Sequence, residues 1–146
     1  MPEKVTSVLE RKGAKVVTVT PAATIAEVAA TLNRNRIGAA PVIAEDGALT
    51  GIISERDIIR GIAEHGESVL AFPASRLMTR EVQTCAPDDP IVELMETMTL
   101  RRIRHLPVTR GGALIGIVSI GDVVKQRLEE AQAELEALRS YISSAS

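Results

Sequence analysis

Pro41-Val42 followed by Gly51-Ile52-Ile53-Ser54-Glu55-Arg56-Asp57 returns later in the chain as Pro107-Val108 followed by Gly116-Ile117-Val118-Ser119-Ile120-Gly121-Asp122. Sliding residues 16–43 onto 82–109, an offset of 66, gives 10 identical pairs in 28: Val16, Thr18, Pro21, Ile25, Glu27, Thr31, Arg36, Ile37, Pro41 and Val42. Dropping one residue in the next loop aligns 49–60 with 114–125 at an offset of 65, and adds Leu49, Gly51, Ile52, Ser54 and Asp57. Fifteen identities in 40 positions, in order and with one gap, indicate a duplicated unit. Two copies of roughly 60 residues are too few and too long for a solenoid. They predict two similar halves packed with pseudo-two-fold symmetry, and clefts between repeats are where ligands tend to bind.

The composition narrows what such a protein can do. Hydrophobic residues make up 45% of 146, enough for a core and too many for a disordered chain. With one Phe, one Tyr and no Trp, that core must be aliphatic. The lack of rings argues against single-stranded nucleic acid, which is held by base stacking. A net charge of −2 gives no general attraction to DNA or anionic membrane. No apolar run approaches the about 18 residues of a spanning helix, and the start Met-Pro-Glu-Lys has no apolar signal core. The single Cys85 cannot form an internal disulfide. It stands where the first repeat has Val19 and reads as a small core residue, so a cytoplasmic location is expected.

Each repeat follows the order β-α-β-β-α. Residues 16–19 and 82–85 are short β-branched stretches before a proline, suited to strand ends. Ile25, Val28, Ala29 and Leu32, matched by Ile91, Leu94, Met95 and Met98, mark one apolar helix face. Thr24-x-x-Glu27 has the form of a capping box, and Asp89-Pro90 offers an N-cap followed by proline. Strands at 39–44 and 49–53, repeated at 105–109 and 114–118, flank turns at Glu45-Asp46-Gly47 and Arg110-Gly111-Gly112, with Gly51 and Gly116 read as turn chemistry. Val8-Leu9 lines up with Leu77-Met78, so each half has a short helix in front of it. The expected fold is α+β, with repeats at 5–64 and 74–125, a connector at 65–73 and a helical tail at 126–146. In that tail Val124, Leu128, Ala131, Leu135, Leu138 and Ile142 form about two and a half heptads. The stripe suits either self-association or a helix lying back on its own domain.

Ser54-x-x-Asp57 and Ser119-x-x-Asp122 each follow a strand and open a helix, and two readings stand for them. Such pairs cap helix starts with no ligand nearby. Helix N-termini also favour phosphate, and a carboxylate one turn on can accept from both hydroxyls of a ribose. Of the basic run 101–105, Arg101 and Arg102 read as a solvated helix face. Arg104 and His105 open a strand, where neighbours point to opposite faces, so at least one can face a cleft. His65 reads as a solvated loop residue.

Ile37-Gly38-Ala39-Ala40-Pro41-Val42 with Gly51-Ile52-Ile53-Ser54-x-x-Asp57, and Ile103-Arg104-His105-Leu106-Pro107-Val108 with Gly116-Ile117-Val118-Ser119-x-x-Asp122, resemble the cystathionine-β-synthase (CBS) domain family. In that family tandem pairs form an adenosine-nucleotide-sensing module. The resemblance covers about residues 5–125, and small stand-alone bacterial members share the Ser-Ile-Gly-Asp-Val-Val-Lys ending at 119–125. It implies one ligand site of Thr20, Ile25, Ile37, Gly38 and Ala39 with Arg104, His105, Ile117, Ser119 and Asp122. Asp122 would hold the ribose, and Ser119 with Arg104 or His105 the phosphates. The related site would join Ala86, Ile91, Ile103 and Arg104 to Ile52, Ser54, Arg56 and Asp57. The second is expected to be weaker, because Thr20 becomes Ala86 and the counterparts of Arg104 and His105 are Gly38 and Ala39.

The sequence has no Walker A motif, no G-x-G-x-x-G, no His-Glu-x-x-His and no Cys-x-x-Cys. Neither histidine has a nucleophile partner. The expectation is a non-catalytic module without catalytic cofactor or metal, its regulatory ligand AMP, ADP, ATP or NAD. A homodimer is expected, an effector protein is left open, and membrane or nucleic-acid partners are not expected. The alternative is a structural dimerisation protein with vestigial nucleotide sites.

Overall fold

The computed structural model describes residues 3–13 and 15–145, and Met1, Pro2, Ala14 and Ser146 lie outside them. The two periodic stretches form helices α2 (Ile25–Asn35) and α5 (Ile91–Arg101), and the other helices are α1 (Val5–Lys12), α3 (Glu55–His65), α4 (Ala74–Leu77) and α6 (Ile120–Ala145). At the start of α2 the Thr24 hydroxyl accepts from the Glu27 amide at 3.2 Å. Asp89 does not cap α5. Pro90 takes the N-cap position, and the Asp89 carboxylate accepts from the Ala86 amide at 2.8 Å. The leading amide of each helix instead reaches the segment preceding the other half: Ile25 N–H donates to Phe72 O at 2.9 Å and Ile91 N–H to Glu3 O at 3.0 Å.

Strands β1 (Ala39–Ile43) and β2 (Leu49–Ser54) form one antiparallel hairpin, β3 (His105–Arg110) and β4 (Ala113–Ser119) the other. Gly111 and Gly112, at φ 57° and 84°, supply the two positive-φ positions of a tight turn. The matching loop of the first hairpin is longer, which accounts for the gap between the repeats. The stretches at 16–19 and 82–85 shrink to single parallel bridges, Val19 to Val42 and Cys85 to Val108. Val19 N–H donates to Pro41 O, and Ile43 N–H to Val19 O. Continuing that ladder backwards would need an N–H from residue 41. Pro41 has none, and Pro107 ends the other ladder in the same way.

Each short leading helix packs on the opposite half. Ala74 and Met78 join the first core, with Ile25, Val28, Leu32, Val42 and Ile53. Val5 and Val8 join the second, with Ile91, Leu94, Met98, Leu106 and Val118. Burying each such side chain contributes about 1.5–3 kcal/mol, so the exchange ties the halves together. It also explains Gly51 and Gly116, which lie within strands rather than at turns. A Cβ on Gly51 would stand 2.6 Å from Met78 Sδ, and one on Gly116 2.6 Å from Leu9 Cδ2. Cys85 is buried in the second core, where desolvation and then the charge of Asp89 push its thiol up to about 12.

The expected tail boundary at 125/126 falls inside α6. That helix buries Val123 and Gln126, and from residue 131 to 145 every position is exposed. The stripe at Leu128, Leu135, Leu138 and Ile142 faces solvent rather than its own domain. His65 ends α3 rather than lying in a loop, its ring edge-on to Phe72 at 5.1 Å, while the Arg76 guanidinium lies over the Phe72 ring, 3.7 Å from its centroid. A 3-10 helix, Gly66–Ala71, completes the connector.

Candidate functional site

Both Ser-x-x-Asp motifs cap their helices. Asp57 Oδ2 accepts from Ser54 N–H at 2.9 Å, and Ser54 Oγ accepts from Asp57 N–H at 3.3 Å. Asp122 Oδ2 accepts from Ser119 N–H at 2.9 Å, and Ser119 Oγ accepts from Asp122 N–H at 3.1 Å. This reciprocal arrangement satisfies amides that a helix start leaves unpaired. In each motif it engages one carboxylate oxygen, so capping does not exhaust the group.

Beside Ser54 and Asp57 lies a cavity of about 340 Å³. Gly38 and Ala39 at the start of β1, Ile52 on β2, and Glu55, Arg56 and Arg60 on α3 form one side. Thr79, Glu81, Val82 and Gln83 enter from the linker, and Arg102, Ile103, Arg104 and His105 close the other side. Asp57 is 7% exposed, and its Oδ1 faces Arg60 Nη1 at 3.5 Å. Arg56, Arg102 and Arg104 make no ion pair among the described residues and also border an adjoining hollow of about 280 Å³. A buried carboxylate, apolar strand faces and free guanidinium groups can together take a sugar hydroxyl, a flat base and phosphate.

The Ser119–Asp122 corner is different. Lys12, the last residue of α1, donates from Nζ to Asp122 Oδ2 at 2.6 Å and to Ile117 O at 2.9 Å. Burial pushes the Asp122 carboxyl up, but the hydrogen bonds from Lys12 and Ser119 and the Lys12 charge outweigh it and hold it below its ordinary value. His105 sits over Gly38, whose Cβ, if present, would lie 3.4 Å from His105 Cε1. Desolvation, followed by the charge of Lys12, lowers the His105 pKa against the opposite pull of Asp122 and Glu55.

The structure thus brings Ile52, Ser54, Arg56, Asp57, Ile103 and Arg104 around one cavity. Gly38, Ala39 and His105 line it as well, although the resemblance assigns them to the other site. Ile25 and Ile91 spend their side chains on the cores, at 0% and 1% exposure. Ile37 packs against the first core, while Thr20 and Ala86 are exposed at the entrances to α2 and α5. Arg102 is exposed, as expected, but it also lines the cavity. It terminates α5 in the left-handed conformation, φ 54°, as Arg36 does for α2. Sequence reasoning missed Arg60, Thr79, Glu81 and Lys12. The last two had a signal: carrying the Leu9–Met78 match three residues further pairs Lys12 with Glu81.

The chain matches the CBS domain family over residues 7–64 and 74–129. It is 37% identical over 123 residues to a mitochondrial CBS domain-containing protein of Arabidopsis thaliana, covering 82% of this chain and 60% of that protein's length. The crystal structure of a CBS-domain protein from Agrobacterium tumefaciens superposes with a TM-score of 0.84 at 45% identity, covering 87% of this chain and 95% of the other. A CBS domain protein of Pyrobaculum aerophilum, solved as a complex with AMP, superposes with a TM-score of 0.70 at 33% identity, over 82% and 89% of the two chains. Among the described residues no helix is long and apolar enough to cross a membrane, and no cluster of metal-ligating side chains occurs. The duplicated hairpin-and-helix unit, its exchanged leading helices and these matches have one conclusion: the chain belongs to the CBS domain family, as a tandem pair of CBS domains.

Proposed function

We propose that this tandem pair is a non-catalytic, cytoplasmic regulatory module that binds an adenosine nucleotide (AMP, ADP, ATP or NAD) between its repeats. The observation that carries the proposal is the 340 Å³ cavity joining Ser54 and Asp57 of one repeat to Arg102, Ile103 and Arg104 of the other. Asp57 would accept from the ribose hydroxyls, Ile52, Ala39 and Ile103 would cover the base, and Arg56 and Arg104 would take phosphate. Ser119, Asp122, Ile117 and Thr20 would belong to the related cleft. The AMP complex of the Pyrobaculum relative supports this ligand class. Native mass spectrometry of the purified protein, followed by calorimetric titration with AMP, tests it. Expected are a retained adenosine nucleotide and saturable binding. Absence of both, with every nucleotide tried, would leave the structural dimerisation protein, whose case is the complete capping of both motifs.

The module would act as a homodimer. Ile59 and Val124, equivalent positions of α3 and α6, are 67% and 43% exposed, and the stripe on α6 extends the same apolar side. A two-fold contact would bury both together and leave an effector protein to sense the change on binding. Light scattering should give twice the 15.6 kDa chain mass at micromolar concentration, and a monomer mass would refute the dimer.

A further inference from the structure

We infer that Lys12 is an internal occupant of the Ser119–Asp122 cleft, and that it leaves the Ser54–Asp57 cleft as the one ready for nucleotide. The inference rests on the nucleotide reading above and reverses the order expected from the cations at the two sites. Lys12 Nζ lies 2.6 Å from Asp122 Oδ2 and 2.9 Å from Ile117 O, so it bonds both the helix start and the strand end that would frame a ligand. A ribose hydroxyl and an ammonium both make charge-assisted bonds to a carboxylate, but only the ammonium also brings the opposite charge that neutralises it.

The position of Lys12 is imposed by the fold. Val5 and Val8 are fixed in the second core, and Arg11 pairs with Glu129 of α6. Lys12 is therefore an intramolecular competitor, at an effective concentration on the order of millimolar. In the other cleft no linker cation among the described residues reaches the motif carboxylate, and the nearest cation is Arg60 of α3 itself, at a looser 3.5 Å from Asp57 Oδ1. There α4 ends at Leu77, and the extended chain beyond it bonds Ile52 through the backbone of Thr79, N to O at 2.9 Å and O from N at 3.0 Å. The residue matching Lys12 is Glu81, a cavity-lining acid that cannot pair with Asp57. α1 stays helical to Lys12, so its backbone is spent on itself and a side chain bonds Ile117 O instead.

Equilibrium dialysis of labelled AMP against the full chain tests this, with thermal unfolding to verify that each variant is folded. The parent should bind one AMP per chain, and Asp57→Asn should weaken that binding more than tenfold. Adding Lys12→Met to Asp57→Asn should restore binding at the Asp122 cleft, at least tenfold tighter than Asp57→Asn alone. Adding Lys12→Arg, which keeps the cation, should not. The inference is overturned if Lys12→Met restores nothing, if the parent already fills two equal sites, or if Lys12→Met alone abolishes binding. AMP binding by no variant, parent included, would instead bring down the nucleotide reading and the inference with it.

Discussion

At the Ser54–Asp57 cleft the linker leaves its helix after Leu77 and lays backbone along the strand edge. At the Ser119–Asp122 cleft it remains helical for eight residues and extends an ammonium group over the same edge. The duplicated parts are nearly superimposable in their chemistry: the same capping box, the same bulged hairpin, the same glycine under a linker side chain. What differs comes from segments before each repeat, which pack on the opposite half. A duplicated frame can therefore present two unlike sites without changing its own motif residues, because the group that occupies or opens each cleft comes from elsewhere in the chain.

The largest effects should come from breaking the exchange of leading helices. Ile25 and Ile91 hold equivalent positions and are 0% and 1% exposed. Truncating either to Ala should cost about 2–5 kcal/mol in urea unfolding, from lost transfer energy and the cavity left behind. The local consequences should be crossed. Ile91→Ala, far along the chain, should loosen α1, while Ile25→Ala should loosen α4. Amide hydrogen exchange reads this directly, and loosening confined to the sequence-adjacent helix in both variants would contradict the exchanged packing.

Why the exchange was not legible in the sequence follows from what a sequence period records. The spacing of Ile25, Val28 and Leu32 states that α2 has a buried face, and the repeated Pro-Val and Gly-Ile pairs state that two hairpins are alike. Neither states which core receives Val5 and Val8. Gly51 and Gly116 looked like turn residues because glycine's lack of a side chain serves both tight turns and close packing. The β-branched residues at 16–19 and 82–85 suggest longer strands than form, whereas the deciding residues, Pro41 and Pro107, lie in the neighbouring strand and act through a missing N–H. The nucleotide-like motif residues were found by their recurrence. Lys12 was not, since it lies outside the clearly repeated segments and matters through a contact 110 residues away.

The glycines sharpen the comparison at intermediate cost. A Cβ at position 51 would meet Met78 Sδ at 2.6 Å and the backbone oxygen of Thr79 at 2.9 Å. At position 116 the near contacts are all with the end of one leucine side chain, Leu9. Gly51→Ala should therefore cost about 1–3 kcal/mol by overpacking against Met78 and against a backbone oxygen that cannot swing aside as a side chain can. Gly116→Ala should cost about 0.5–1.5 kcal/mol, the price of an off-rotamer Leu9. Urea midpoints at unchanged slope measure the difference, and equal losses would mean that the Thr79 bridge yields as easily as a side chain.

The smallest effect concerns pH and belongs to one half alone, since the counterpart of His105 is Ala39. Burial and the Lys12 charge lower the His105 pKa in the folded state, opposed by Asp122 and Glu55 and aided by Arg104. The unfolded chain thus takes up a proton first as the solution is acidified, and stability must fall with falling pH. The contribution of the neutral ring is complete above the unfolded value of about 6.5 and is lost as pH drops through the folded one. One proton limits the slope to about 1.4 kcal/mol per pH unit. Between pH 7.5 and 5.5, above the range where carboxylates dominate, His105→Gln should flatten the stability profile. Lys12→Met should flatten it partly, by removing one cause of the depression. A His105→Gln profile as steep as the parent's would show that the imidazole is not the group responsible.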